Sequence, residues 1–204
     1  MASSKFNICS MALTKLGKKP VSSFNDDNNT EASQICGQLW DDESALIQTV
    51  FSWRFNSTKA TLAILDETPL NEWTYSYQMP SDKLNLRAVY NSSDSGAQPI
   101  FDFEIFGNKL YTDETTIIID YQIIKEPVDW PPYFVSFAVA HMASVLAPAI
   151  TDNAALATYW DQMAWGGAQD NRKGGLFGMA KDLDSKIQPP EQIGINELLG
   201  ARFA

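Results

Sequence analysis

The sequence predicts an α+β protein: a four-helix bundle interrupted by an inserted antiparallel β-rich domain and followed by an extended C-terminal arm. Three observations predict it. Apolar residues recur at helical spacing before Phe51 and after Pro131, they alternate in twos between those points, and glycine and proline pairs break the pattern after Trp165. The expected boundaries are 1–56 and 128–170 for the two halves of the bundle, 57–127 for the insertion and 171–204 for the arm.

Each element has a local reason. The first helix is expected from Ser4 to Leu16, where Ile8, Ala12 and Leu16 share a face that Cys9 and Leu13 widen. Gly17 is its C-terminal stop, with Pro20 beyond. Asn28, with Glu31 three residues later, reads as a capping box. It opens a helix to about Phe51 with the stripe Ala32, Ile35, Cys36, Leu39, Trp40, Leu46, Ile47 and Val50. Asp41-Asp42-Glu43 interrupts that stripe and is assigned to the outer face.

Extended segments follow at Thr58–Leu65, Trp73–Gln78, Leu84–Val89 and Thr116–Ile124. Phe101–Phe106 and Lys109–Tyr111 flank Gly107-Asn108, a two-residue turn whose twist suits a hairpin. Helices resume at Pro131-Pro132, since proline fits a helix start. The third helix is expected to end near Ala147 and Pro148, and Asp152 to cap a fourth running to about Trp165. The arm, 171–204, has room for one short helix.

Composition narrows the function classes. A chain of 204 residues, 45% hydrophobic and 12% aromatic, buries a core without needing a metal or disulfide. A net charge of -10 opposes non-specific gripping of DNA, which requires Lys and Arg against phosphates. Cys9 and Cys36 lie in predicted helices and read as free buried thiols. No apolar leader opens the chain, so synthesis in a reducing cytoplasm is expected. Phe134–Ile150 has no charged residue, but its length, His141, Pro148 and the lack of basic flanks make it a buried central helix and not a membrane span.

The residues offer little chemistry. His141, the single histidine, lies in an apolar helix, and with Cys9 and Cys36 it lacks the spacing of a zinc site. The Gly166-Gly167 to Gly174-Gly175 stretch has neither phosphate-loop nor dinucleotide spacing and reads as a hinge. Asp102 and Glu104 lie on one strand face and read as solvated. Trp53 and Phe55 read as core residues closing the bundle, with Arg54 facing the other way. No catalytic residue, cofactor or metal is expected.

Three segments carry a resemblance. They are the helix exit Ala12-Leu13-Thr14-Lys15-Leu16-Gly17-Lys18-Lys19-Pro20-Val21-Ser22-Ser23-Phe24, the step Ser52-Trp53-Arg54-Phe55-Asn56, and the strand Trp73–Tyr77 followed by Met79-Pro80-Ser81-Asp82. In order and spacing, over residues 8 to about 90, they resemble the head-to-tail adaptor family of short-tailed phages, the tubular tail protein A family. The resemblance implies a non-enzymatic structural protein: a helical bundle with a β domain, assembled as a twelve-fold ring at the head-tail junction of a virion. Its implied partners are further copies of itself, the portal protein, and a nozzle or tail tube protein.

Two sets of site residues follow as expectations. DNA passing a ring without specific binding calls for an acidic or neutral lumen, with Asp41, Asp42, Glu43, Asp102 and Glu104 as candidates. The arm carries apolar anchors expected to grip the portal: Leu176, Phe177, Ile187, Ile193, Ile195, Leu198, Leu199 and Phe203. The alternatives are a tail-associated hydrolase with a carboxylate pair, or a receptor- or glycan-binding tail protein with exposed Trp and Tyr at the tip of the insertion.

Overall fold

The computed structural model describes residues 3–21, 23–24, 31–67, 69, 72–94 and 96–187. Among them the chain is mixed α+β, with five α-helices and two small antiparallel sheets. Helix α1 (Lys5–Lys15) starts where Ser4 Oγ accepts the Asn7 N–H at 3.2 Å. It ends at Gly17, whose φ of 71° lets the Lys18 N–H return to Leu13 O. Helix α2 (Glu31–Thr49) buries Cys36, Trp40 and Ile47. The expected cap at Asn28 lies outside the described residues. Leu46 and Val50, expected inside, are exposed. They lie four residues apart and so share a face, with Leu46 about 100° and Val50 about 60° round the helical path from Ile47.

Between α2 and the next helix come β1 (Ser57–Leu62), β2 (Tyr75–Gln78), β3 (Lys83–Tyr90), β4 (Glu104–Phe106), β5 (Lys109–Thr112) and β6 (Ile117–Ile123). One sheet has the order β1-β6-β3 and the other β2-β5-β4. Leu62, Val89, Ile117, Ile119 and Tyr121 of the first pack with Tyr77, Met79 and Leu110 beside the second in one apolar cluster. The Gly107-Asn108 turn forms as expected, with Gly107 at φ 58° and Phe106 opposite Lys109. The strand before it begins at Glu104 and not at Phe101.

Helix α3 (Pro132–Thr151) is the axis of the helical part: α1, α2, α4 (Ala154–Trp165) and α5 (Gly175–Ser185) all pack on it. A helix apolar all round needs such neighbours, and buried Ala138, Ala140, Ala143 and Ala147 let them approach closely. Length and composition alone would let α3 cross a membrane. It runs through Pro148, where an end was expected. Pro148 has no N–H to give the Ser144 carbonyl, and Thr151 Oγ1 donates to Ala147 O at 2.6 Å in the last turn. Asp152, expected to cap α4, instead closes α3 in the left-handed conformation at φ 49°, and Asn153 Oδ1 accepts the Leu156 N–H as the cap.

The largest correction is α5, which occupies Gly175–Ser185 where an extended arm was expected. Its glycines hid it, because each lowers helix propensity. They serve a tight crossing and not a hinge. Gly166 and Gly175 have φ of 87° and 57°, and a Cβ on Gly175 would come within 2.7 Å of Met163 O. Phe177, Ala180 and Asp184 form the buried face of α5. Phe177 joins Trp53, Phe137 and Trp165, with ring centroids 5.8, 5.4 and 5.0 Å away respectively. Trp53 is fully buried, and its Nε1 donates to Ile47 O at 2.9 Å.

The two parts meet through side-chain amides, those of Gln48, Asn56 and Gln122 buried and that of Asn85 half-buried. Gln122 Nε2, on β6, donates to Phe51 O at 2.9 Å and to Asn56 Oδ1 at 2.8 Å. Gln48 Oε1, on α2, accepts the Lys125 N–H at 2.8 Å. Asn85 Nδ2, on β3, donates to Thr49 O at 3.1 Å.

Candidate functional site

The titratable groups inside the helical part are committed to holding it together. Trp165 Nε1–H donates to His141 Nδ1 at 3.2 Å, so that nitrogen keeps its lone pair. The proton of the neutral ring then sits on Nε2, which faces Glu43 Oε2 at 2.8 Å. Burial pushes the His141 pKa below its usual value, against the upward pull of Glu43. Ser144, one turn on, donates its hydroxyl to the His141 carbonyl oxygen at 2.7 Å and not to the ring. The arrangement staples α2, α3 and α4.

Asp184 is a second fastener, and sequence reasoning missed it. Its carboxylate is fully buried on α5. Oδ2 accepts the Arg54 N–H at 2.6 Å and Oδ1 accepts Tyr133 Oη–H at 2.7 Å. Burial and the neighbouring carboxylate raise the Tyr133 pKa. The only sequence signal is the four-residue spacing from Ala180, invisible once 171–204 is read as an arm. Cys9 and Cys36 are both buried and free. The bond between the two thiols and their burial push Cys9 up. Among the described residues no cluster of three or more His, Cys, Asp or Glu is placed to hold a metal ion.

The expected channel residues are not brought together as one group. Asp41 and Asp42 are exposed on α2. Glu43, one residue on, turns inward to His141. Asp102, just before β4, and Glu104, on it, are exposed, and Glu104 Oε2 accepts Trp73 Nε1–H at 3.1 Å. Of the expected portal anchors, Phe177 is buried in this chain's own core and Leu176 packs half-buried against it, so neither is free to grip another chain. Ile187 is exposed past the end of α5. Ile193, Ile195, Leu198, Leu199 and Phe203 lie outside the described residues.

An exposed apolar patch lies at and beside the β4–β5 hairpin. Phe101, Ile105 and Phe106 are 88%, 37% and 56% exposed, and the Phe106 and Tyr111 rings sit 5.9 Å apart. Carboxylates flank it: Glu67 pairs with Lys109, and Asp113 accepts both the backbone N–H and the hydroxyl of Thr74. Those two bonds lower the Asp113 pKa.

No family model matches this chain, and no curated protein matches it.

Proposed function

We propose that this protein is a head-to-tail adaptor of a tailed phage, a structural subunit that joins the portal to the tail as one protomer of a ring and lets DNA through. The observation that carries the reading is the order of elements. A short helix closing at Leu16-Gly17, a long helix leading into Ser52-Trp53-Arg54-Phe55-Asn56, a β region and a helical return appear in the order that the adaptor resemblance implies. The role of the tryptophan step supports it, since Trp53 is the buried hub where helix gives way to strand. In this reading α1 to α4 act as the bundle, the two sheets face the next tail component, and residues 187–204 grip the portal at the head-tail junction of the virion.

The hairpin also weighs against the glycan-binding alternative. Its most exposed rings are Phe101 and Phe106, which lack the polar edge that Trp and Tyr bring to a sugar. The test is electron microscopy of the purified protein mixed with its portal. A twelve-fold ring seated on the portal is the expected result. A different symmetry overturns the copy number, and no association with the portal overturns the function. Deleting residues 188–204 should abolish portal attachment, and a truncated chain that binds as tightly as the intact one removes the arm from the proposal.

A further inference from the structure

The second sheet has two edges that are treated differently. At the β2 edge, Ile64 forms a bridge with Tyr77 and the Leu65 N–H donates to Ser76 O at 2.8 Å, so the chain covers that side itself. At the β4 edge no further strand follows among the described residues. The turn fixes which groups are left over there. A two-residue hairpin closes on a hydrogen-bonded pair, here Phe106 and Lys109, and such pairs alternate along the ladder. Phe106 and Glu104 therefore bond inward to β5, while the N–H and C=O of Ile105 point away from the sheet.

Proteins normally blunt such an edge with lysine, proline or a bulge. β4 is short and carries the charge of Glu104, but it has no lysine, proline or bulge, and Ile105 and Phe106 stay exposed on it. Its surroundings select the partner. Asp102 and Glu104 stand exposed next to and on β4, and the basic residue opposite Phe106, Lys109, is already paired with Glu67. A second copy would bring a like-charged edge, in a chain of net charge -10.

We infer that the β4 edge is a strand-addition site that takes an extended segment of a different protein, with Lys or Arg alternating with apolar residues. The Ile105 N–H and C=O supply the main-chain bonds. An apolar side chain beside Ile105 extends the row that continues through Leu110 to Tyr77 in the sheet core. Basic side chains on either side of it fall on the face of Glu104 and Phe106. The site goes beyond the portal-gripping arm and holds whether or not the protein is an adaptor.

The test uses the full chain and a fluorescein-labelled synthetic peptide, Ser-Lys-Val-Lys-Val-Lys-Ser, read by anisotropy and by amide exchange at Ile105. Two control peptides carry proline at both valine positions, or glutamate at every lysine. The unmodified peptide should bind about tenfold more tightly than either control and slow the exchange of the Ile105 amide. Glu104→Lys and Ile105→Pro should each weaken binding about tenfold. Should Ile105→Pro lose its fold by circular dichroism, Glu104→Lys at the exposed surface decides. Equal binding of the proline peptide, or an Ile105 amide left unprotected at saturation, overturns the proposal. So does sedimentation of the free protein as a dimer that Glu104→Lys changes, which would place a second copy on this edge.

Discussion

The helical part and the β part of this chain are built to opposite plans. The helical core surrounds Trp53 with Phe51, Phe55, Phe134, Phe137 and Phe177, and its polar groups at His141 and Asp184 are turned inward as fasteners. The β part has a thinner apolar core, of eight buried side chains among the described residues, and it leaves aromatic rings and an open strand edge at the surface. The difference teaches where a partner is to be sought. The aromatic residues around Trp53 in the first region are consumed by folding, with Tyr159 on α4 left exposed, whereas Phe101 and Phe106 at the hairpin are left over.

The contrast can be broken most forcefully at Trp53. Trp53→Ala should cost about 3–5 kcal/mol, as truncations of large buried aromatics do, and urea titration should show the helical part losing its cooperative transition. Leu110→Ala, in the β core, should cost roughly 2–4 kcal/mol. Five of the six tryptophans lie outside the insertion and only Trp73 within it, so fluorescence reports mainly on the helices. If the two parts unfold separately, far-ultraviolet dichroism and fluorescence should diverge in Leu110→Ala. Coincident curves would show that the Gln48, Gln122 and Asn85 bonds weld them into one cooperative unit.

Next in size is Asp184→Ala, which strands the Arg54 N–H and the Tyr133 hydroxyl and should cost roughly 2–3 kcal/mol in the same titration. An unchanged midpoint would mean that α5 is not anchored there.

The smallest effect sharpens the comparison through pH. His141 is faced by Glu43 from α2, by Asp161 from α4, and by Arg172, which pairs with Asp161. Its folded pKa lies below the unfolded value of about 6.5, so the unfolded chain binds the extra proton first on acidification. Its contribution is complete above about pH 6.5 and is lost as the pH falls from there toward the folded pKa. His141→Gln should lack that component, so the gap between wild type and variant should narrow from pH 7.5 to pH 5. A gap of constant size would mean that the ring does not titrate on unfolding.

The sequence by itself determined the succession of elements as far as α4. Local periodicity and turn chemistry are properties of a few neighbouring residues, so α1 with its Gly17 stop, the Gly107-Asn108 hairpin and the apolar α3 were all legible. The core role of Trp53 was legible too, because a tryptophan at the change from helical to alternating period has to close both patterns. Only the tertiary structure decided what those elements do together. Phe177 enters the core because α3 and α4 leave room for a fifth helix, despite glycines that weaken its local signal. Glu43 turns inward while Asp41 and Asp42 do not, because only its position meets a histidine 98 residues away. The β4 edge is bare while β2 is covered by Ile64 and Leu65, a difference between two short strands that alternation cannot register. Period encodes which face of an element is apolar; which neighbour satisfies that face is settled by contacts distant in the chain, and so only by the packed fold.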